Sequence, residues 1–115
     1  MIEAARSPEG ILADEYLRRL EQSRKRKDRE DLATILIVFE DFAHRDCLDF
    51  PREINDLVDG LRELKPDKHR FPFFYPTAGS TFTTRLTHGF VKRSQRAPRE
   101  QIDKAKWVRR EDLRR

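Results

Sequence analysis

The sequence predicts an α+β domain in which helices cover a small antiparallel sheet. Three observations predict it. The first half carries two stretches of apolar residues at helical spacing. Residues 61–90 carry three short extended runs separated by turn residues. The chain then returns to helical spacing after Pro98. At 115 residues the whole chain, 1–115, is expected to be one domain with a modest core.

Met1 to Arg6 reads as a frayed end or a short strand. Ser7-Pro8-Glu9 has the form of a helix start, with Ser7 as N-cap and Pro8 at the first helical position. Ile11, Leu12, Tyr16, Leu17 and Leu20 make one apolar stripe behind it. The cations Arg24 to Lys27 follow, where they suit a helix C-terminus; the competing reading is a nucleic-acid patch. Asp28 is placed to cap a second helix, residues 28–44. Its residues Leu32, Ile35, Leu36, Phe39, Phe42 and Ala43 fall on one face.

Residues 48–59 read as a short helical turn or an irregular bridge. Gly60 then breaks the chain before a strand at Leu61–Lys65, and Pro66-Asp67 turns it. Phe71–Tyr75 is a second strand, with Pro72 marking an edge or a bulge. Thr77 to Ser80 turns the chain into a third, Thr81–Phe90. There Phe82, Leu86, His88 and Phe90 share one parity, the core-facing one by simple alternation; the other reading is that Gly89 marks a bulge that re-aims His88. The last helix opens at Pro98 and carries Ile102, Ala105, Val108 and Leu113 on a thin apolar stripe. Trp107 on that helix is either core or a partner contact.

Charged residues make up 40% of the chain, unevenly placed. Residues 1–59 hold 10 Lys/Arg against 15 Asp/Glu, a net of −5; residues 60–115 hold 15 against 6, a net of +9. A basic half built on a sheet suggests a polyanion partner, RNA or DNA; the alternative is mutual neutralisation across the fold. No apolar run is long enough to span a membrane and no signal peptide opens the chain, so no membrane partner is expected. The single cysteine, Cys47, excludes an intrachain disulfide and fits a cytoplasmic protein, with the thiol buried or half-buried.

Several residues together carry a resemblance. They are Gly60, Leu61, Glu63 and Leu64; Arg70 and Tyr75; Leu86, His88, Gly89, Phe90, Lys92 and Arg93; then Pro98, Glu100, Ile102 and Ala105. In this pattern the chain resembles the phage-derived, HigB-type branch of the RelE/ParE toxin superfamily of type II toxin–antitoxin systems. The likeness covers about half the chain, and the His-Gly-Phe-x-Lys-Arg…Pro portion is its most specific part. It implies a RelE-like fold: a small twisted antiparallel sheet, two N-terminal helices on one face and a C-terminal helix. It also implies a ribosome-dependent mRNA endoribonuclease neutralised by a helix-turn-helix antitoxin; with no acidic pair or metal cluster visible on the basic half, a metal-free mechanism without a cofactor is expected. The sequence departs from the family at Met1–Arg6, a weak first strand; at Pro72; and at Ala97, where a Thr or Ser cap is usual.

Cleavage by 2′-hydroxyl attack needs a base for the 2′ proton, cations for the phosphorane charge and an acid for the leaving 5′ oxygen. The resemblance, read with this chemistry, makes Arg70, His88 and Lys92 the catalytic candidates. Arg62, Lys65, Lys68, Tyr75, Arg93 and Arg96 are the RNA-binding ones. Three of these have a plainer alternative: His88 as a structural histidine, Arg70 in an ion pair with Glu63, Tyr75 as core. His44 and His69 are read as surface and turn residues. The rival function is a non-catalytic, phage-encoded module that binds RNA, the ribosome or a protein; a gyrase-directed toxin is a third.

Overall fold

A computed structural model describes residues 1–44, 53–93 and 98–114. The expectations for Cys47, Arg96 and Ala97 lie outside the described residues. In chain order the elements are β1 (Ile2–Ala4), α1 (Leu12–Gln22), α2 (Arg26–Ala43), β2 (Ile54–Asp56), β3 (Arg62–Leu64), β4 (His69–Phe74), β5 (Thr84–Leu86), β6 (Phe90–Val91) and α3 (Arg99–Leu113). The architecture is α+β, as the spacing predicts.

The sheet is mixed, which corrects the antiparallel expectation. Its order is β1-β5-β4-β3-β2, with β6 also paired to β4. β1 lies parallel to β5, Ile2 beside Thr84 and Ala4 beside Leu86, while the other pairs are antiparallel. The α1–α2 pair intervenes between β1 and the rest of the sheet, giving the long connection that a parallel neighbour needs.

Strand alternation divides the core between two faces. On one, Phe71 and Phe73 of β4 meet Ala13 of α1, Ile35, Phe39 and Phe42 of α2, and Leu64 and Leu86. The Phe39 and Phe71 rings meet edge to face at 5.0 Å. On the other face Phe74 and Leu61 pack on Ala105 and Val108 of α3, with Trp107 partly buried against them.

Several expected boundaries move for local reasons. Ser7 does not cap a helix: its N–H and that of Gly10 exchange bonds with each other's carbonyls, and Gly10 has φ +119°. Ser-Pro-x-Gly is turn chemistry, with Pro at the second position and Gly at the fourth, and α1 starts only at Leu12. Arg24 to Lys27 straddle the junction of the two helices, so Arg26 and Lys27 open α2 instead of closing α1. Asp28 lies in the first turn of α2, where its carboxylate accepts from the Ser23 hydroxyl at 2.6 Å. Residues 54–56 form an edge strand, not a helical turn.

The long strand expected at Thr81–Phe90 is broken. Phe82 lies outside any strand and is 70% exposed, so it is no part of the core. Between the Phe73–Leu86 and Arg70–Phe90 pairings, β4 supplies residues 71 and 72 but the other side supplies 87, 88 and 89. That extra residue is a bulge. Pro72 explains its place. Its carbonyl accepts from Thr87 N–H at 2.8 Å, so its nitrogen, which has no proton to donate, faces the same gap. Pro72 therefore sits in a buried central strand, not at an edge, opposite the point where pairing lapses.

Candidate functional site

The register builds one polar cleft on the α3 face. Glu63 of β3 stands opposite Asn55 of β2 and Pro72 of β4. One step along, the same register sets Lys65 across from Arg70, and Arg70 pairs with Phe90 of β6. Two residues beyond Phe90, and so on its face, comes Lys92. These side chains, with Asp56, Leu57, Val58 and Ile102, line a cleft of about 320 Å³.

Glu63 is buried, and its Oε2 has no hydrogen-bond partner among the described residues. Burial raises its pKa above its ordinary value, against the opposing charges of Arg70, Lys65 and Lys92. Lys65 is shifted the other way: burial and the neighbouring Arg70 lower it, against the pull of Glu63. Desolvation also lowers Arg70, against Glu63 and Asp67. The cleft thus holds an acid and a base whose pKa values have been drawn toward each other.

Arg70 is anchored by its own chain. Its Nη1 donates to the carbonyls of Asp67 at 2.6 Å and His69 at 2.8 Å. The ion pair with Glu63 that the sequence suggested is absent among the described residues, because the turn carbonyls hold the guanidinium.

The structure sorts the sequence-derived site residues into groups. Arg70, Lys92 and Lys65 come together in the cleft. Arg62 does not, because it has the opposite parity to Glu63. Its Nε donates to Asp56 Oδ1 at 2.7 Å, and its Nη1 lies 3.4 Å from the Tyr75 hydroxyl. Tyr75 packs edge-on against Phe73. Lys68 reaches toward Asp31, 3.7 Å away. Arg93 is exposed and does not line the cleft.

His88 is not a cleft residue. The bulge turns it from the core face expected of its parity to the α3 face, where its Nε2–H donates to Gln101 Oε1 at 2.8 Å. Its Nδ1 lies 3.0 Å from the Thr87 hydroxyl, and its ring stacks on Phe90. Burial is the main cause that lowers its pKa, to about 4, with Lys104 adding to the shift and Gln101 opposing it. The ring is therefore neutral near pH 7. Gly89 beside it faces α1, and a Cβ there would come within 2.7 Å of the Tyr16 ring.

His69, expected as a turn residue, is a buried member of a second polar group. Its Nε2 lies 2.9 Å from Asp31 Oδ2 and its Nδ1 2.6 Å from the Tyr16 hydroxyl. Burial pushes Asp31 up, but hydrogen bonds from Lys27 and His69 outweigh it and leave the carboxyl below its ordinary value. Burial also raises Tyr16, to about 12.

Glu63 and Asn55 are the residues that sequence reasoning did not assign to the site. Glu63 was visible as a member of the strand motif, and its shared parity with Lys65 was the available signal. Asn55 gave none, since its strand was read as irregular.

Among the described residues, no three His, Cys, Asp or Glu side chains cluster to hold a metal ion, and no helix is long and apolar enough to cross a membrane. Neither protein-family models nor curated proteins match the chain.

Proposed function

We propose that this chain is a type II toxin of the RelE/HigB kind, a ribosome-dependent mRNA endoribonuclease held in check by a helix-turn-helix antitoxin. One observation carries the reading: a buried carboxyl of raised pKa shares a cleft with Arg70, Lys65 and Lys92. Such a cleft suits metal-free phosphodiester cleavage. The Glu63 carboxylate takes the proton of a 2′-hydroxyl as that oxygen attacks phosphorus. The Lys65 ammonium gives a proton to the departing 5′ oxygen as the P–O5′ bond breaks. The products are a 2′,3′-cyclic phosphate and a 5′-hydroxyl end. A raised Glu and a lowered Lys each move toward the operating pH, where acid–base catalysis is most effective. Arg70 and Lys92 supply positive charge where the phosphorane develops it.

The element order gives further support. A first strand, two helices on one face, a run of strands and a closing helix agree with the fold that the resemblance implies. In this reading His88 backs Phe90 at the cleft wall and takes no proton from substrate.

The test is cleavage in a translating extract, mapped by the sequence of the new 5′ ends. Wild-type protein should cut mRNA only where ribosomes translate. Arg70→Ala and Lys92→Ala should abolish cutting while the fold is retained, and Glu63→Gln should slow it by roughly 10²–10⁴-fold. If wild-type protein leaves mRNA intact but binds ribosomes or RNA, the chain is the non-catalytic module.

A further inference from the structure

Two buried oxygens lack hydrogen-bond partners in the same cleft. They are Glu63 Oε2 and Asn55 Oδ1, of two lining residues, and neither has a partner among the described residues. The two residues are direct cross-strand partners in the β2–β3 register, so their side chains share a face, with Cβ atoms roughly 5 Å apart. Both atoms are acceptors. Leaving a buried acceptor unpaired is costly, and a ligand that presents two neighbouring donors removes both deficits at once.

A nucleotide carries its 2′-hydroxyl beside the sugar edge of its base. On that edge adenine presents only the N3 acceptor and pyrimidines the O2 acceptor, whereas guanine adds the N2 amino donor. Guanosine alone therefore offers two donors side by side there. Phe90, Val58 and Ile102 supply an apolar wall for the base, and Arg70, Lys65 and Lys92 stand by for the adjoining phosphate.

We propose that Asn55 and Glu63 together read the sugar edge of a guanosine, Glu63 taking its 2′-hydroxyl and Asn55 Oδ1 its 2-amino group. This rests on the reading of the cleft as an RNA site, and it makes Asn55 the residue that selects guanosine 5′ to the scissile bond. The other three bases place an acceptor, or nothing, against Asn55 Oδ1, which leaves that atom unpaired.

Binding of three mononucleotides to the wild-type protein tests the inference without requiring turnover. Guanosine 3′-monophosphate and inosine 3′-monophosphate differ only in the 2-amino group. The guanosine form should bind roughly three- to tenfold more tightly, the worth of one hydrogen bond, and adenosine 3′-monophosphate no better than inosine. Asn55→Ala should erase the difference between guanosine and inosine, while Asn55→Asp, which keeps an acceptor, should retain it. Equal affinity for guanosine and inosine in the wild type overturns the proposal. So does a difference that survives Asn55→Ala, or no binding by any of the three. Guanosine selectivity in a protein that cuts no mRNA would remove the enzyme reading alone. Cleavage spread over all four bases would remove the guanosine reading alone.

Discussion

Asp31 and Glu63, buried carboxyl groups on opposite faces of the sheet, are treated in opposite ways; Asp112 of α3, also buried, is paired with Arg85 at 2.6 Å as Asp31 is with its own partners. On the α1–α2 face Asp31, 2% exposed, lies 2.7 Å from Lys27 Nζ and 2.9 Å from His69 Nε2, with Lys68 at 3.7 Å. On the α3 face Glu63, 5% exposed, keeps Oε2 without a partner among the described residues. Asp31 is held below its ordinary pKa and Glu63 above it. The difference separates architecture from chemistry. A carboxylate saturated by bonds from α2 and β4 ties a helix to the sheet and has nothing left to give a substrate. One left short of donors carries a standing cost that a ligand relieves.

That contrast is easiest to break through stability. Asp31→Ala strips His69 of its carboxylate inside the core, and should cost about 3–5 kcal/mol in a denaturant titration. Glu63→Gln should do the reverse. Because its folded pKa is raised, the folded state binds the Glu63 proton more tightly than the unfolded chain. Ionised Glu63 therefore destabilises the fold above that pKa, and the penalty is relieved as pH falls. At neutral pH the Gln variant should be as stable as wild type or more so, even as cleavage is lost. A Glu63→Gln protein that unfolds easily would mean the carboxylate is structural, like Asp31.

The next effect concerns His88, whose neutrality follows from burial on the α3 face. An unfolded chain takes up this proton near the ordinary pH of 6.5, the folded one only near 4. Its contribution should thus be fully present above pH 6.5 and decline by roughly 3 kcal/mol as pH falls to 4. Stability curves for wild type and His88→Gln measured over that range should converge toward acid pH. If the variant instead folds as well as wild type with the same pH dependence but loses cleavage, His88 is an acid or base after all.

The smallest effect is electrostatic and compares surfaces instead of buried groups. RNA or ribosome affinity should fall with salt by about 0.7 to 0.9 log units per log unit for each phosphate neutralised. Reversing Lys92 and Arg93 to Glu should flatten the slope measured across a salt series. Reversing Arg24 and Lys25, exposed at the α1–α2 junction, should change it little. Equal losses from both pairs would extend the footprint across the first helices.

Much of this molecule was decided by local pattern. The 3.6-residue period of the stripe from Leu32 to Ala43 placed α2 and brought Ile35, Phe39 and Phe42 to its buried face, although Leu36 of the same stripe is 50% exposed. The alternation expected through Phe82, Leu86 and Phe90 did not hold as far: Leu86 is core, but Phe82 is exposed and Phe90 lies beyond a bulge. Arg70 and Lys92 were legible as a pair of cations on the basic half. What the sequence alone did not decide is everything that depends on register between distant strands. The β1–β5 pairing joins Ile2 to Thr84, and no local signal specifies it. Pro72 and Gly89 offered a bulge as one reading, but only the strand pairing placed the extra residue that turned His88 over by reversing side-chain parity. Asn55 meets Glu63 only because β2 lies against β3 in one particular register. Burial then supplies the chemistry: the carboxyl of Glu63 is ordinary in the chain and becomes a candidate base only where the fold withdraws water and surrounds it with cations.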